Sequence, residues 1–349
     1  MSMESYIRAM PKAELGLQLE GAIPKQTLVM IAEQNEIPST TKGYADLVKQ
    51  IDKPVYEKLP ELSAIVSQWV RYPDDLSRMV YDVGVALSRQ NVRYAEIGVN
   101  PLLYMNHTGM QFEQFIEALN DGRDKALRGW NVQMQWVLNI PREEPRRGDD
   151  TTRWALSATA RKYGVVGLGL TGREETQPAG QFERPFKSAE KKGLPRIVHA
   201  GDKLGAEAVL GAIEHLLPTR IIGGWGTTEA PDVVKQLVDN NIALGITMAR
   251  QLCLGRIQTY ADYPLRWIFD QDVKLTLTSH MPTFYKSTLS DEYLALVEHN
   301  DFTLEDLEEI ALNAVRYSTL PEEEQAKMLK IFREDYAKLR TEHIEQATT

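Results

Sequence analysis

Apolar residues recur along this chain in two rhythms. Short apolar runs of strand length alternate with longer stretches whose apolar positions lie three and four apart, the pattern of parallel strands joined by helices. The first run, Pro11 to Gly21, alternates apolar with other residues and predicts a half-buried strand ending in a glycine turn. Pro24 followed by helix formers from Lys25 to Ala32 predicts a helix start. Seven more strands are predicted at Val92–Val99, Val132–Ile140, Val165–Thr171, Pro195–His199, Thr219–Gly223, Ile242–Thr247 and Lys274–Ser279. Helical spacing fills Asp74–Arg89, Phe112–Gly129 and the region around Thr151–Lys162. The stretch Ile37–Arg71, rich in Lys, Asp and Pro, predicts helices and loops over a barrel mouth, and Thr303–His343 predicts a charged helical tail. Eight strands alternating with helices fit an α/β fold, a (β/α)8 TIM barrel spanning 1–349 as one domain, better than two doubly wound domains.

Composition narrows the setting. With 349 residues, 43% of them hydrophobic, the chain can bury a large core. A net charge of −9 argues against a nucleic-acid surface, which needs clustered Lys and Arg, and points to a small-molecule or protein partner. The single cysteine, Cys253, excludes an internal disulfide and a Cys-based zinc site and fits a reducing cytoplasm. No apolar run approaches the ~20 residues of a membrane span, and Met1 to Met10 is too polar for a secretory signal. A soluble cytoplasmic protein is expected.

Separated motifs add a resemblance. Lys12-Ala13-Glu14-Leu15 and Leu19-Glu20-Gly21-Ala22-Ile23 frame the first strand and its turn; Tyr94, Glu96 and Pro101 frame the second. Gly167, Leu170, Gly172 and Glu174 follow on the fourth. His199-Ala200-Gly201-Asp202, Arg220-Ile221, Leu277 to Pro282, Asp291-Glu292-Tyr293 and Asn313-Ala314 complete the set. From Pro11 to about Tyr336 the chain resembles the adenosine deaminase family of the amidohydrolase superfamily. The resemblance implies a barrel of the metal-dependent hydrolase type, with its site at the C-terminal mouth. It implies hydrolysis of a purine C–N bond by a water that zinc brings to a pKa of about 7.

Carried over by position, the resemblance places the family's metal ligands at Gly16, Gln18, His199 and His280. Glycine offers no donor, and the Gln18 amide is a poor zinc ligand beside imidazole or carboxylate. The proton-donating glutamate falls at Asp202, the water-orienting histidine at Gly223 and a second aspartate at Met281. Gly98 and Gly169 replace an arginine and an aspartate, and the seventh-strand pattern becomes Thr247-Met248-Ala249-Arg250-Gln251. Glu20 matches an acidic residue near the ribose 5′-hydroxyl, and Gly172 a glycine whose backbone contacts the purine.

The first reading is therefore a protein with no zinc cofactor expected that binds a small polar or nucleoside-like ligand at the mouth. Gln18, Glu20, Gly172, Met281 and Trp225 would contact that ligand, and His199, His280 and Asp202 would support binding or metal-independent chemistry. The alternative is a purine or adenosine deaminase with a remodelled metal site built on His199 and His280, helped by Asp202 or Gln18. A partner-binding platform is a third. Plainer roles stand beside these: Asp202 as the N-cap of a helix, the two histidines as a hydrogen-bonded pair, Trp225 and Met281 as packing. Gly223-Gly224-Trp225-Gly226 resembles a phosphate loop only loosely, lacking the lysine.

Overall fold

The computed structural model describes residues 3–38, 40–52 and 58–344. Its strands are β1 (Lys12–Gln18), β2 (Val92–Val99), β3 (Gln133–Pro141), β4 (Val165–Thr171), β5 (Arg196–Ala200), β6 (Arg220–Gly223), β7 (Ala243–Ile246) and β8 (Leu275–Leu277). They form one sheet in sequence order, and every ladder is parallel. This is a (β/α)8 barrel. The stretch Ile37–Arg71 contains the helices Lys42–Asp52 and Leu59–Gln68, while residues 39 and 53–57 of it lie outside the described residues.

The reading of the first strand is corrected in one respect. β1 is buried along its whole length, because a barrel strand faces the packed interior on one side and the helical layer on the other. Alternation in its sequence therefore does not mark a wet face. The expected glycine turn is a short helix, Leu19–Ala22, before the helix Lys25–Gln34. Gly16, at a φ of +128°, sits in a register shift between β1 and β2.

The sheet closes between β1 and the segment after β8 without a regular ladder. Gln18 N–H donates to the His280 carbonyl at 2.8 Å. Across the same seam the buried Glu14 carboxylate accepts Thr278 Oγ1 (2.6 Å), Ser279 N–H (2.8 Å) and Ser279 Oγ (3.1 Å). At the opposite end of the barrel, Arg220 pairs with Glu96 in full burial, and Glu96 also takes Tyr94 Oη and Thr319 N–H. The tail forms the helices Leu304–Arg316 and Glu322–His343, tied back by Tyr336 Oη on the Pro11 carbonyl at 3.0 Å.

One buried carboxylate fixes a helix that matters below. Glu292 accepts the backbone N–H groups of Met248 (2.6 Å) and Ala249 (3.1 Å), the first residues of the helix Met248–Cys253, and Ser287 Oγ at 2.9 Å. Burial pushes the Glu292 carboxyl up to about 7, with the nearby Glu14 adding to the rise. A carboxyl raised in the folded state keeps a proton that the unfolded chain releases near pH 4.5, so its contribution falls as pH rises between those values. Unfolding free energies at pH 5 and pH 7.5 should therefore show a smaller loss with pH in Glu292→Gln than in the parent, by on the order of 2 kcal/mol. An unchanged pH slope would contradict this placement of the charge.

Candidate functional site

Barrel strands deliver their next residues to the C-terminal mouth. Here Gln18 ends β1, Asn139 lies on β3, and His199 lies on β5 with Asp202 just beyond it. Arg250 and Gln251 come from the helix after β7, and His280 and Met281 follow β8. A cavity of about 370 Å³ opens among them, in the size range of small-molecule sites.

The cavity brings together Gln18, Glu20, Gly172, His199, Asp202, His280 and Met281. Trp225 is not on its wall: the indole Nε1 donates to Glu229 at 3.1 Å and the ring packs against Tyr263. The N-cap role for Asp202 is also corrected. The helix begins at Gly205 with Leu204 at its cap, and the backbone N–H groups of Asp202, Lys203 and Leu204 all donate to the Glu174 carboxylate at 2.9–3.1 Å. Asp202's own carboxylate accepts Arg250 Nε at 2.6 Å and Gln251 Nε2 at 2.8 Å.

Two runs of polar contacts meet at a histidine pair on the floor of the cavity. Asn139 Nδ2 donates to Gln18 Oε1 at 2.7 Å, and Gln18 Nε2 lies 3.4 Å from His199 Nε2. The His199 and His280 rings are 5.1 Å apart. His280 Nδ1 lies 3.3 Å from Arg250 Nη1 and 3.1 Å from Tyr285 Oη. Burial pushes His199 down to about 3, and Arg250, Arg142 and Arg220 push the same way. Burial and the Arg250 charge also hold His280 well below the usual histidine range. Both rings are neutral near pH 7. Glu20, bonded by Tyr104 Oη at 2.8 Å, is raised by burial to about 7.

Two glycines make room for these groups. A Cβ on Gly98 would lie 2.5 Å from Gln18 Nε2 and 2.6 Å from Asn139 Nδ2. A Cβ on Gly223 would overlap the Asp202 carboxylate, and its φ of +96° disfavours any side chain. Asn139, Arg250, Gln251, Tyr285 and the loop-holding role of Glu174 are not foreseen from the sequence. The available signal is the charged Arg250 three residues past a predicted strand.

As it stands, the donor set fits zinc poorly. Two imidazoles and an amide converge, the amide oxygen is engaged by Asn139, and both Asp202 oxygens accept hydrogen bonds. No group of three or more His, Cys, Asp or Glu is placed to hold a metal ion among the described residues. A guanidinium stands beside His280.

The parallel strands and their surrounding helices define the chain as a (β/α)8 barrel with a polar C-terminal mouth. The family model described as adenosine deaminase matches residues 11–334, and the chain belongs to that family. It is 27% identical to the aminodeoxyfutalosine deaminase of Streptomyces avermitilis, over 91% of this chain and 89% of that one. An amidohydrolase from Burkholderia ambifaria, solved with bound Zn, superposes with a TM-score of 0.86 at 20% identity, over 98% of this chain and 95% of that one. Arabidopsis ADAL complexed with IMP gives 0.85 at 20% identity, over 96% and 99%.

If Gly223 is glycine because Asp202 needs the space, Gly223→Ala should lose about 1–3 kcal/mol in chemical denaturation through overpacking and a strained φ. A neutral substitution would show that the carboxylate can move aside.

Proposed function

We propose that this member of the adenosine deaminase family binds a small polar, purine-nucleoside-like ligand at the barrel mouth without a zinc-activated water. The observation that carries the reading is the Asn139–Gln18–His199 chain, which sets amide groups from β1 and β3 beside a neutral imidazole from β5. Such a floor recognises an uncharged heterocycle through hydrogen bonds, and the cavity volume suits a ligand of that size. The IMP bound by the Arabidopsis relative supports a purine-like occupant.

Within this reading Gln18 and Asn139 orient the ligand's ring edge, Glu20 with Tyr104 offers a further polar contact, and Met281 supplies an apolar wall. His199, His280 and Asp202 either hold the ligand or move protons in metal-independent chemistry. The domain is taken as one unit over 1–349, in a cytoplasmic setting compatible with its lone Cys253. No helix among the described residues is long and apolar enough to cross a membrane.

A second reading, a purine deaminase with a remodelled metal site, is favoured by the deaminase names of the relatives and by the zinc in the Burkholderia structure. Elemental analysis of protein purified without chelators, with ultraviolet absorbance followed on adenosine and adenine, separates the two. The first reading expects substoichiometric zinc and no absorbance loss. Stoichiometric zinc with turnover would overturn it. A thermal-shift series over nucleosides and bases should show a hit, since a ligand at 100 times its Kd adds about 2.7 kcal/mol to the folded state.

A further inference from the structure

Arg250 reaches the mouth from the helix Met248–Cys253, whose first two N–H groups are held by Glu292. Its backbone is thus fixed by a buried carboxylate on another helix. The side chain is 11% exposed and that of Asp202 is 3% exposed, so the pair sits largely out of water at the cavity wall. From this one guanidinium, Nε donates to Asp202 Oδ2 at 2.6 Å. Nη1 lies 3.3 Å from His280 Nδ1 and donates to Tyr285 Oη at 3.1 Å. A single positive charge therefore touches groups delivered after β5 and after β8.

The resemblance implies a metal-binding aspartate at the position of His280 and a proton-donating glutamate at that of Asp202. A divalent cation bound to His280 would be within a few ångströms of the guanidinium, where like charges repel strongly at low dielectric. Gln251, wholly buried, donates to the second Asp202 oxygen, so each carboxylate oxygen already accepts a hydrogen bond and the carboxylate's charge is shared with Arg250.

We propose that Arg250 is the resident cation of this mouth: its guanidinium stands in for a divalent metal between Asp202 and His280, and excludes one. Ligand binding then occurs against a protein-borne positive charge already neutralised by Asp202. This rests on the reading that the site operates without zinc, and adds the group responsible.

The test uses the full chain, with Co²⁺ as an optical probe and Zn²⁺ or EDTA in thermal unfolding. The parent should show no Co²⁺ absorption band and the same Tm in EDTA and in Zn²⁺. Arg250→Ala and Arg250→Gln leave Asp202 buried without its charge partner, so both should lose thermal stability in EDTA. Both should bind Co²⁺ at least about tenfold more tightly than the parent and recover Tm with Zn²⁺. Arg250→Lys, which keeps the charge, should remain indifferent to metal. Should Ala or Gln be unfolded in EDTA, recovery of a cooperative transition on adding Zn²⁺ supports the proposal, and failure to recover counts against it. One tightly bound Zn²⁺ or Co²⁺ per parent chain with a raised Tm overturns both this proposal and the functional reading beneath it. An indifferent parent whose Ala and Gln variants gain no metal affinity overturns the proposal alone.

Discussion

A part-buried guanidinium paired with a buried carboxylate at the top of the barrel constrains the groups around it. Removing water from two charges costs several kcal/mol per ion, and the cost is offset only when the pair is close and its other polar atoms are bonded. Arg250 and Asp202 meet those terms. Gln251 takes the remaining Asp202 oxygen, Tyr285 and His280 contact the guanidinium, and Glu174 holds the loop that carries Asp202 through three backbone N–H groups. The helix bearing Arg250 is in turn anchored by Glu292. Loosening any of these supports exposes a buried charge, which ties the geometry of the mouth to the stability of the barrel.

At the mouth two glycines make room for polar side chains. Gly223 leaves room for the Asp202 carboxylate, and Gly98 leaves room for the Asn139–Gln18 contact. Neutral imidazoles follow from the same arrangement, since burial and an adjacent guanidinium both oppose protonation. Neutral imidazole is the form that metal ligation requires, and the Arg250 guanidinium stands beside one of the two rings.

Much of the barrel was legible in the chain because strands buried on both faces are written as short apolar runs. β2 and β4 match their predicted bounds, and the other strands begin and end within a few residues of theirs. The half-buried reading of β1 failed because alternation was taken for a wet face in a strand that a barrel covers on both sides. The predicted helix around Thr151–Lys162 is two helices, with the Ser157 hydroxyl accepting Ala160 N–H at the start of the second. At the site, positions that follow a strand end, such as His199 and His280, could be placed from the sequence. Pairings across the barrel could not: nothing local to Arg250 says that it meets Asp202, 48 residues away in the chain. Trp225 shows the converse, a residue next to a strand end whose ring turns to Glu229 and Tyr263.

The most direct test of this charge arrangement is anomalous X-ray diffraction at the zinc edge from crystals of the unaltered chain grown with added Zn²⁺. The structure predicts the Arg250 guanidinium between Asp202 and His280, with no anomalous peak among Gln18, His199 and His280. A full-occupancy zinc peak bonded to His199 and His280, with Arg250 displaced, would contradict it.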